Sequence, residues 1–274
     1  MTLPADSLVE KNSLELSELS PELGLRLRAL TPARVGLRRA GTSVATTEVL
    51  DFQLAHGRAR DAVHAPMQAG TLVPGLQRMT GGEVLLLHSA AADRATYLQR
   101  PDFGRRLVEE SARRLARIDY GPYDLAIVIA DGLSALAIER HAEALLAVML
   151  PALLSELPDL KIAPVSIVEQ GRVAVGDEIA LALKAEMVIV LIGERPGLSS
   201  PDSLGAYITW KPRPGKTTDA ERNCISNIRA EGLSYGEAAA RLLHYVREAR
   251  SKGQTGVALK DPDAALPQLH GGVE

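Results

Sequence analysis

Met187-Val188-Ile189-Val190-Leu191-Ile192-Gly193-Glu194-Arg195-Pro196-Gly197-Leu198-Ser199-Ser200-Pro201-Asp202-Ser203 is the stretch that decides the fold. Its first six residues form an unbroken apolar, mostly β-branched run, the pattern of a strand covered on both faces. The run stops at Gly193-Glu194-Arg195-Pro196-Gly197, where two glycines and a proline end the strand and two opposite charges appear. Ser199, Ser200, Asp202 and Ser203 follow, side chains suited to capping a helix or holding a polar ligand. A buried strand that ends in such a loop marks the ligand edge of an open α/β sheet.

The same grammar recurs upstream. Asp124–Ala130 reads as a buried strand, Asp131-Gly132-Leu133-Ser134 as its turn, and a helix follows to about Leu150, capped by Asp131 or Ser134. Ala163–Val168 is a second strand, ending at Glu169-Gln170-Gly171-Arg172-Val173. Val175–Lys184 reads as a helix whose first turn holds Asp177 and Glu178, well placed for the helix dipole. Strand, helix, strand, helix, strand predicts a parallel sheet with crossover helices. Leu204–Trp210 adds a further strand, closed by Pro212 and Pro214. Ser234–Arg250 is a helix with a Ser234/Glu237 capping box, stopped by Gly253.

The N-terminal third is more helical. Thr31-Pro32 has the form of a helix start. Thr46–His64 carries apolar residues at helical spacing. Residues 65–82 hold Pro66, Gly70, Pro74, Gly75, Gly81 and Gly82 and read as loop, and Glu83–His88 reads as a short strand. The charged run Asp93–Arg106 is expected to be a surface salt-bridge cluster leading into a helix from about Arg105 to Ile118. The expected fold is therefore α/β: a C-terminal parallel-sheet, Rossmann-like domain over residues 119–274, a smaller, mainly helical N-terminal domain over 31–118, and a flexible tail over 1–30.

Composition narrows the function. With 274 residues and 46% hydrophobic content the chain can bury a substantial core, but aromatics are only 3%, so that core is aliphatic and there is little material for stacking nucleic-acid bases. A net charge of −3 gives no electrostatic reason to expect nucleic acid or an anionic membrane as partner. One cysteine excludes an internal disulfide and a cysteine-rich zinc site, and fits a reducing cytoplasm. The six histidines (56, 64, 88, 141, 244 and 270) show no metal-ligand spacing.

In a parallel sheet the carboxyl ends of the strands share one edge, so the loops 131–134, 169–173 and 193–203 are expected to meet there. They bring acids, an amide, guanidinium groups and hydroxyls around glycine backbone, a cradle for a polar ligand. No G-x-G-x-x-G, P-loop or G-x-S-x-G motif accompanies them, which argues against nicotinamide binding, P-loop chemistry and a serine hydrolase. Glu194-Arg195 reads either as a local ion pair or as part of the cradle. Cys224, in Arg222-Asn223-Cys224-Ile225-Ser226-Asn227-Ile228, reads as a small buried hydrophobe. One function these residues allow is a stand-alone binding module for a phosphorylated small molecule.

The strings Thr31-Pro32-Ala33-Arg34-Val35-Gly36, Tyr97-Leu98-Gln99-Arg100-Pro101-Asp102, Asp131-Gly132-Leu133-Ser134, Gly171-Arg172-Val173, Gly176-Asp177-Glu178-Ile179, Gly193-Glu194-Arg195-Pro196-Gly197-Leu198 and Cys224-Ile225-Ser226-Asn227-Ile228 occur in the order found in one family. Over about Thr31 to Lys260 the chain resembles the small (light) subunit of ethanolamine ammonia-lyase. The resemblance implies a subunit of an adenosylcobalamin-dependent carbon–nitrogen lyase that converts ethanolamine to acetaldehyde and ammonia by a radical route, in ethanolamine catabolism. It implies a large-subunit partner, a β/α barrel that holds the ethanolamine, with the cobalamin and its cobalt enclosed between the two chains. The family's cobalamin contacts fall on Val173, Glu194 and Cys224. No catalytic residue and no protein metal ligand is expected from this chain. Some members carry an N-terminal helix that directs them to a bacterial microcompartment; residues 1–30 offer only a weak version of it.

Overall fold

The computed structural model describes residues 21–118 and 121–260, so the expectations about the first twenty residues and the last fourteen lie outside the described residues. The chain divides into two units, Met1–His56 and Gly57–Glu274. In the first, α1 (Pro21–Leu30) is followed by a hairpin of β1 (Arg39–Ala40) and β2 (Ser43–Val44), turned at Gly41 with φ 61°, and by the start of α2 (Thr46–His64). Thr31-Pro32 thus follows a helix and does not open one. The reason is local: a residue before proline is driven out of the helical region, which stops α1 at Leu30. Within this unit Arg28 bonds Glu48 at 2.7 Å and the carbonyl of Gly36 at 2.9 Å.

The second unit continues with α3 (Ala69–Thr80), β3 (Val84–His88), α4 (Arg94–Gln99), α5 (Glu109–Ala116), β4 (Tyr123–Ala130), α6 (Ala135–Glu156), β5 (Val165–Glu169), α7 (Val175–Ala182), β6 (Ala185–Gly193), β7 (Leu204–Trp210), β8 (Arg222–Ile228) and α8 (Tyr235–Lys252). The six longer strands form one sheet in the order β3-β5-β4-β6-β7-β8. The first four are mutually parallel; β7 runs antiparallel to β6, and β8 antiparallel to β7. The strand read at Glu83–His88 thus pairs with Val165–Glu169, and residues on both sides of position 118 build a single sheet.

The strands alternate between two cores. Leu125, Ile127, Ile129, Met187, Ile189, Leu191, Ile208 and Ile225 face α3, α6 and α8. Ala126, Val128, Ala130, Val188, Val190 and Ile192 face α5 and α7. Continuous apolar runs in β4 and β6 reflect cover on both sides. Helix ends follow the expected chemistry: the Ser134 hydroxyl accepts from Ala137 N at 3.3 Å at the head of α6, and α8 opens on the Ser234/Glu237 capping box and ends at Gly253 with φ 65°.

Residues 65–82, expected to be loop, contain α3. Ala69, Leu72 and Leu76 make a buried stripe along it, and the missing side chain of Gly75 admits the Glu143 carboxylate of α6. Burial of that stripe outweighs the penalty of Pro74 inside the helix. The helix expected from Arg105 is shorter, Glu109–Ala116, because Phe103–Arg105 forms a 3₁₀ turn and Arg106–Leu107 is extended to bridge Ser89. Among the described residues no helix is long and apolar enough to cross a membrane.

Candidate functional site

The three loops expected to converge do so. Leu133 N donates to Gly193 O at 2.9 Å, tying the end of β4 to the end of β6, and a side chain on Gly193 would collide with the backbone of Asp131 and Ser134. The Ser134 hydroxyl donates to Pro201 O at 2.8 Å, and Arg140 donates to the Asp202 carboxylate at 2.7 Å, so α6 holds the far end of the 193–203 loop. Burial pushes the Asp202 carboxyl up, but the Arg140 hydrogen bond and the charges of His141 and Arg140 together outweigh it, and the net shift is downward.

The turn after β5 is held by Asp131. Its carboxylate accepts from Gln170 N at 3.0 Å and Gly171 N at 2.9 Å. Gln170 has φ 55°, which aims two successive N–H groups at one point, the geometry of an anion-binding nest. Arg94 lies beside it, 3.5 Å from Asp131 and donating to Gly132 O at 2.8 Å, Gln170 Oε1 at 3.2 Å and Val63 O at 2.6 Å. The charged run Asp93–Arg106 is therefore split. Arg100 pairs with Asp102 at 2.9–3.0 Å in the open, as expected, whereas Arg94 and Tyr97 turn inward. The guanidinium groups of Arg94 and Arg172 both lie against the Tyr97 ring, 4.7 and 4.5 Å from its centre. Burial pushes the Tyr97 hydroxyl up to about 12 and the Asp131 carboxyl up to about 6, against the opposing charge of nearby arginines.

Glu194 leaves the sheet at the end of β6. Its carboxylate accepts from the hydroxyls of Ser203 and of Ser226, the latter at 2.5 Å, and from Asn227 N at 3.1 Å, while Glu194 N donates to Ser203 O at 2.9 Å. Asn227 reaches this position with φ 61°. Three donors from two elements thus hold one carboxylate, which has about four acceptor directions. Cys224 lies two residues before Ser226 on β8, hence on the same face. In register it sits opposite Tyr207 of β7, which packs on the α7 side of the sheet. The Cys224 and Tyr207 side chains share a hydrogen bond; the surrounding chain pushes the thiol up and the Glu194 charge adds to it, while the Tyr207 hydroxyl is raised by burial first and by Cys224 and Glu194 next.

Cys224 is exposed, not the buried hydrophobe its sequence context suggests: α7 reaches Arg222 at the start of β8, and past it Cys224 and Ser226 are exposed. Glu194 and Cys224 are therefore brought together. Val173 lies half-buried in the turn that opens α7 on the same side of the sheet, but follows β5, with β4 between that strand and β6. Ser203 belongs to the expected cradle loop, whereas Tyr207, Ser226 and Asn227, which also shape this face, were absent from the sequence-based site. Period-two spacing from Cys224 was the signal for Ser226, visible once Arg222–Ile228 is read as a strand. A buried ion pair links the parts: Arg222 of β8 donates to Asp177 of α7 at 2.7 and 2.8 Å and to Thr209 Oγ1 at 2.9 Å.

A mixed, mostly parallel α/β sheet with helices on both faces, its carboxyl-end loops cross-tied and one face of its last strand exposed, belongs to the open, doubly wound class of α/β fold. The family model described as ethanolamine ammonia-lyase light chain (EutC) matches residues 22–260. The chain belongs to this family, and with it to the ammonia-lyases. Relatives named "Ethanolamine ammonia-lyase small subunit" include that of Pseudomonas paraeruginosa PA7, 58% identical over 251 residues and 90% of each chain; that of Azotobacter vinelandii, 57% identical over the same span; and that of Xanthomonas campestris pv. campestris B100, 57% identical over 247 residues and 89% of each chain.

Proposed function

We propose that this chain is the small subunit of an adenosylcobalamin-dependent ethanolamine ammonia-lyase, and that it supplies one half of the cobalamin site through Val173, Glu194 and Cys224. Its partner is the large subunit, a β/α barrel that holds the ethanolamine. The observation that carries this reading is the pairing of Glu194 with Cys224 on one uncovered sheet face.

The residues fit the group. A cobalamin presents amides, a ribose, a phosphate and an apolar base. Glu194, with three of about four acceptor directions taken by the chain, keeps room for one N–H or O–H donor. Cys224 and Val173 offer small, weakly polar surfaces against which a flat ring system can lie. When bound, adenosylcobalamin supplies the radical chemistry that takes ethanolamine to acetaldehyde and ammonia. This chain's residues bind and orient it and keep water from that side; none of them touches the reacting carbon.

The test is reconstitution. Neither chain alone should release ammonia from ethanolamine, and mixing them should restore a release that needs adenosylcobalamin. Glu194→Ala should raise the apparent cobalamin KM about tenfold, the loss of one hydrogen bond to a charged group. An unchanged KM in that variant rejects the site.

A further inference from the structure

We propose that Asp131 is a positioning residue for cofactor binding: its carboxylate fills the nest formed by the backbone N–H groups of Gln170 and Gly171, and so holds the Gly171-Arg172-Val173 turn in the shape that meets the cofactor. The inference rests on the reading of Val173 given above.

The nest is a demanding structure. Gln170 adopts a left-handed backbone that costs a non-glycine residue of order 1 kcal/mol, and the two converging N–H groups repel unless an anion sits between them. Gly171 leaves no room to relax, since a side chain there would press on Ala130 and Val168. The turn is pinned from its outer side as well, by Arg172 N donating to Gly104 O at 2.8 Å and the Arg172 guanidinium to Tyr97 O at 3.2 Å. In a sheet of this order the chain leaves β4 toward α6 and β5 toward α7, on opposite faces, so the gap between the two strand ends is where such folds open a ligand crevice. Here the protein's own carboxylate occupies that gap, with Arg94 as counter-ion. The ligand-holding device of the fold is thereby turned inward and used to set a loop, and the ligand is left to the neighbouring face of β7 and β8. Burial pushes Asp131 toward the neutral acid, and Arg94 and the N–H groups of Gln170 and Gly171 pull it back toward the carboxylate.

The experiment uses the complex with the large subunit. Amide hydrogen exchange is followed over residues 170–173 before cofactor is added, and adenosylcobalamin KM and kcat are measured afterwards, for the native chain, Asp131→Asn, Gln170→Gly and Glu194→Ala. Asp131→Asn replaces an acceptor by an amide N–H facing a donor. It should speed exchange at Gln170 and Gly171 at least tenfold and raise KM about tenfold, with kcat at saturation within twofold. Gln170→Gly keeps both N–H groups and favours the left-handed backbone, so KM should stay within twofold. Unchanged exchange in Asp131→Asn overturns the proposal, as does faster exchange with an unchanged KM, or a Gln170→Gly variant as impaired as Asp131→Asn. The reading of the cofactor site is judged separately: it fails if Glu194→Ala leaves KM unchanged, whatever Asp131→Asn does.

Discussion

Val190, Tyr207 and Cys224 lie side by side in one row across β6, β7 and β8. Val190 is fully buried under α7, with Gly176 directly above it; Tyr207 is half-covered; Cys224 is exposed. This row is thus sealed at β6, in the parallel half of the sheet, and open at β8, in the antiparallel half, while the other face of these strands is covered by α6 and α8. The difference is in the crossovers. Parallel strands need a helix between them, and successive helices cover both faces; β6, β7 and β8 are joined without an α-helix, so on the α7 side Arg222 is still reached by Asp177 of α7 while Cys224 and Ser226 stay exposed. The meander therefore leaves one edge of the sheet open at Cys224 and Ser226, the face to which the proposed function assigns the cofactor.

The joint between the halves is the Asp177–Arg222 pair, both partners almost fully buried. Arg222→Leu should break it at a cost of about 3–5 kcal/mol, because it leaves the Asp177 charge buried without a partner. The double variant Asp177→Leu with Arg222→Leu should cost less than either single change. Urea unfolding of the three variants checks this, and a double variant worse than the singles would show that the pair is not what joins the halves. Next in size, Val190→Trp should cost about 3 kcal/mol, by overpacking the seam where Gly176 leaves no space. A thermal melt close to that of the native chain would show that α7 does not seal this row.

The two halves differed in legibility for the same reason. Strands β4, β5 and β6 announce themselves as apolar runs cut by glycine, because burial on both faces removes polar residues from both. Strand β8 reads R-N-C-I-S-N-I, and two of its polar residues are buried: Arg222 is satisfied by Asp177, 45 positions away, and Asn223 by the carbonyls of Gly256 and Leu259, 33 and 36 away. Partners at that distance leave no local pattern. Arg94 is the same case, an apparent surface charge whose counter-ion stands 37 positions on. Helix α3 was hidden by Gly70, Pro74 and Gly75, residues that ordinarily signal loop, and only the packing of Leu72 and Leu76 explains it. Glu194 and Cys224 were singled out as candidates through the family's motifs. That they share a face was not, since it depends on the register of β7 against β8.

Asp131 sharpens the comparison from the sealed side. Its pKa rises from 3.8 to about 6 on folding, chiefly through burial. A raised folded pKa contributes stability that is fully present below the unfolded value and is lost as pH rises through the folded one. The stability of the native chain relative to Asp131→Asn should therefore grow as pH falls from 7 to 5, by about 1.4 kcal/mol, with all other titrations common to both proteins. Chemical denaturation at pH 7, 6 and 5 measures it. A difference independent of pH would mean that Asp131 is not desolvated, and that the gap between β4 and β5 is as open as the face of β8.

The smallest effect on stability is expected at the open end of the row. Cys224→Trp puts in the same large side chain as Val190→Trp, yet it meets solvent where Val190→Trp meets α7, so unfolding should change by no more than about 0.5 kcal/mol. Function should respond in the opposite sense. An indole on that face occupies the space assigned to the cofactor, and in the reconstituted complex it should raise the adenosylcobalamin KM at least tenfold. Stability kept with affinity lost would place the ligand on the unsealed face. If both were kept, that face would belong to another body, and if both were lost, it would be part of the core after all.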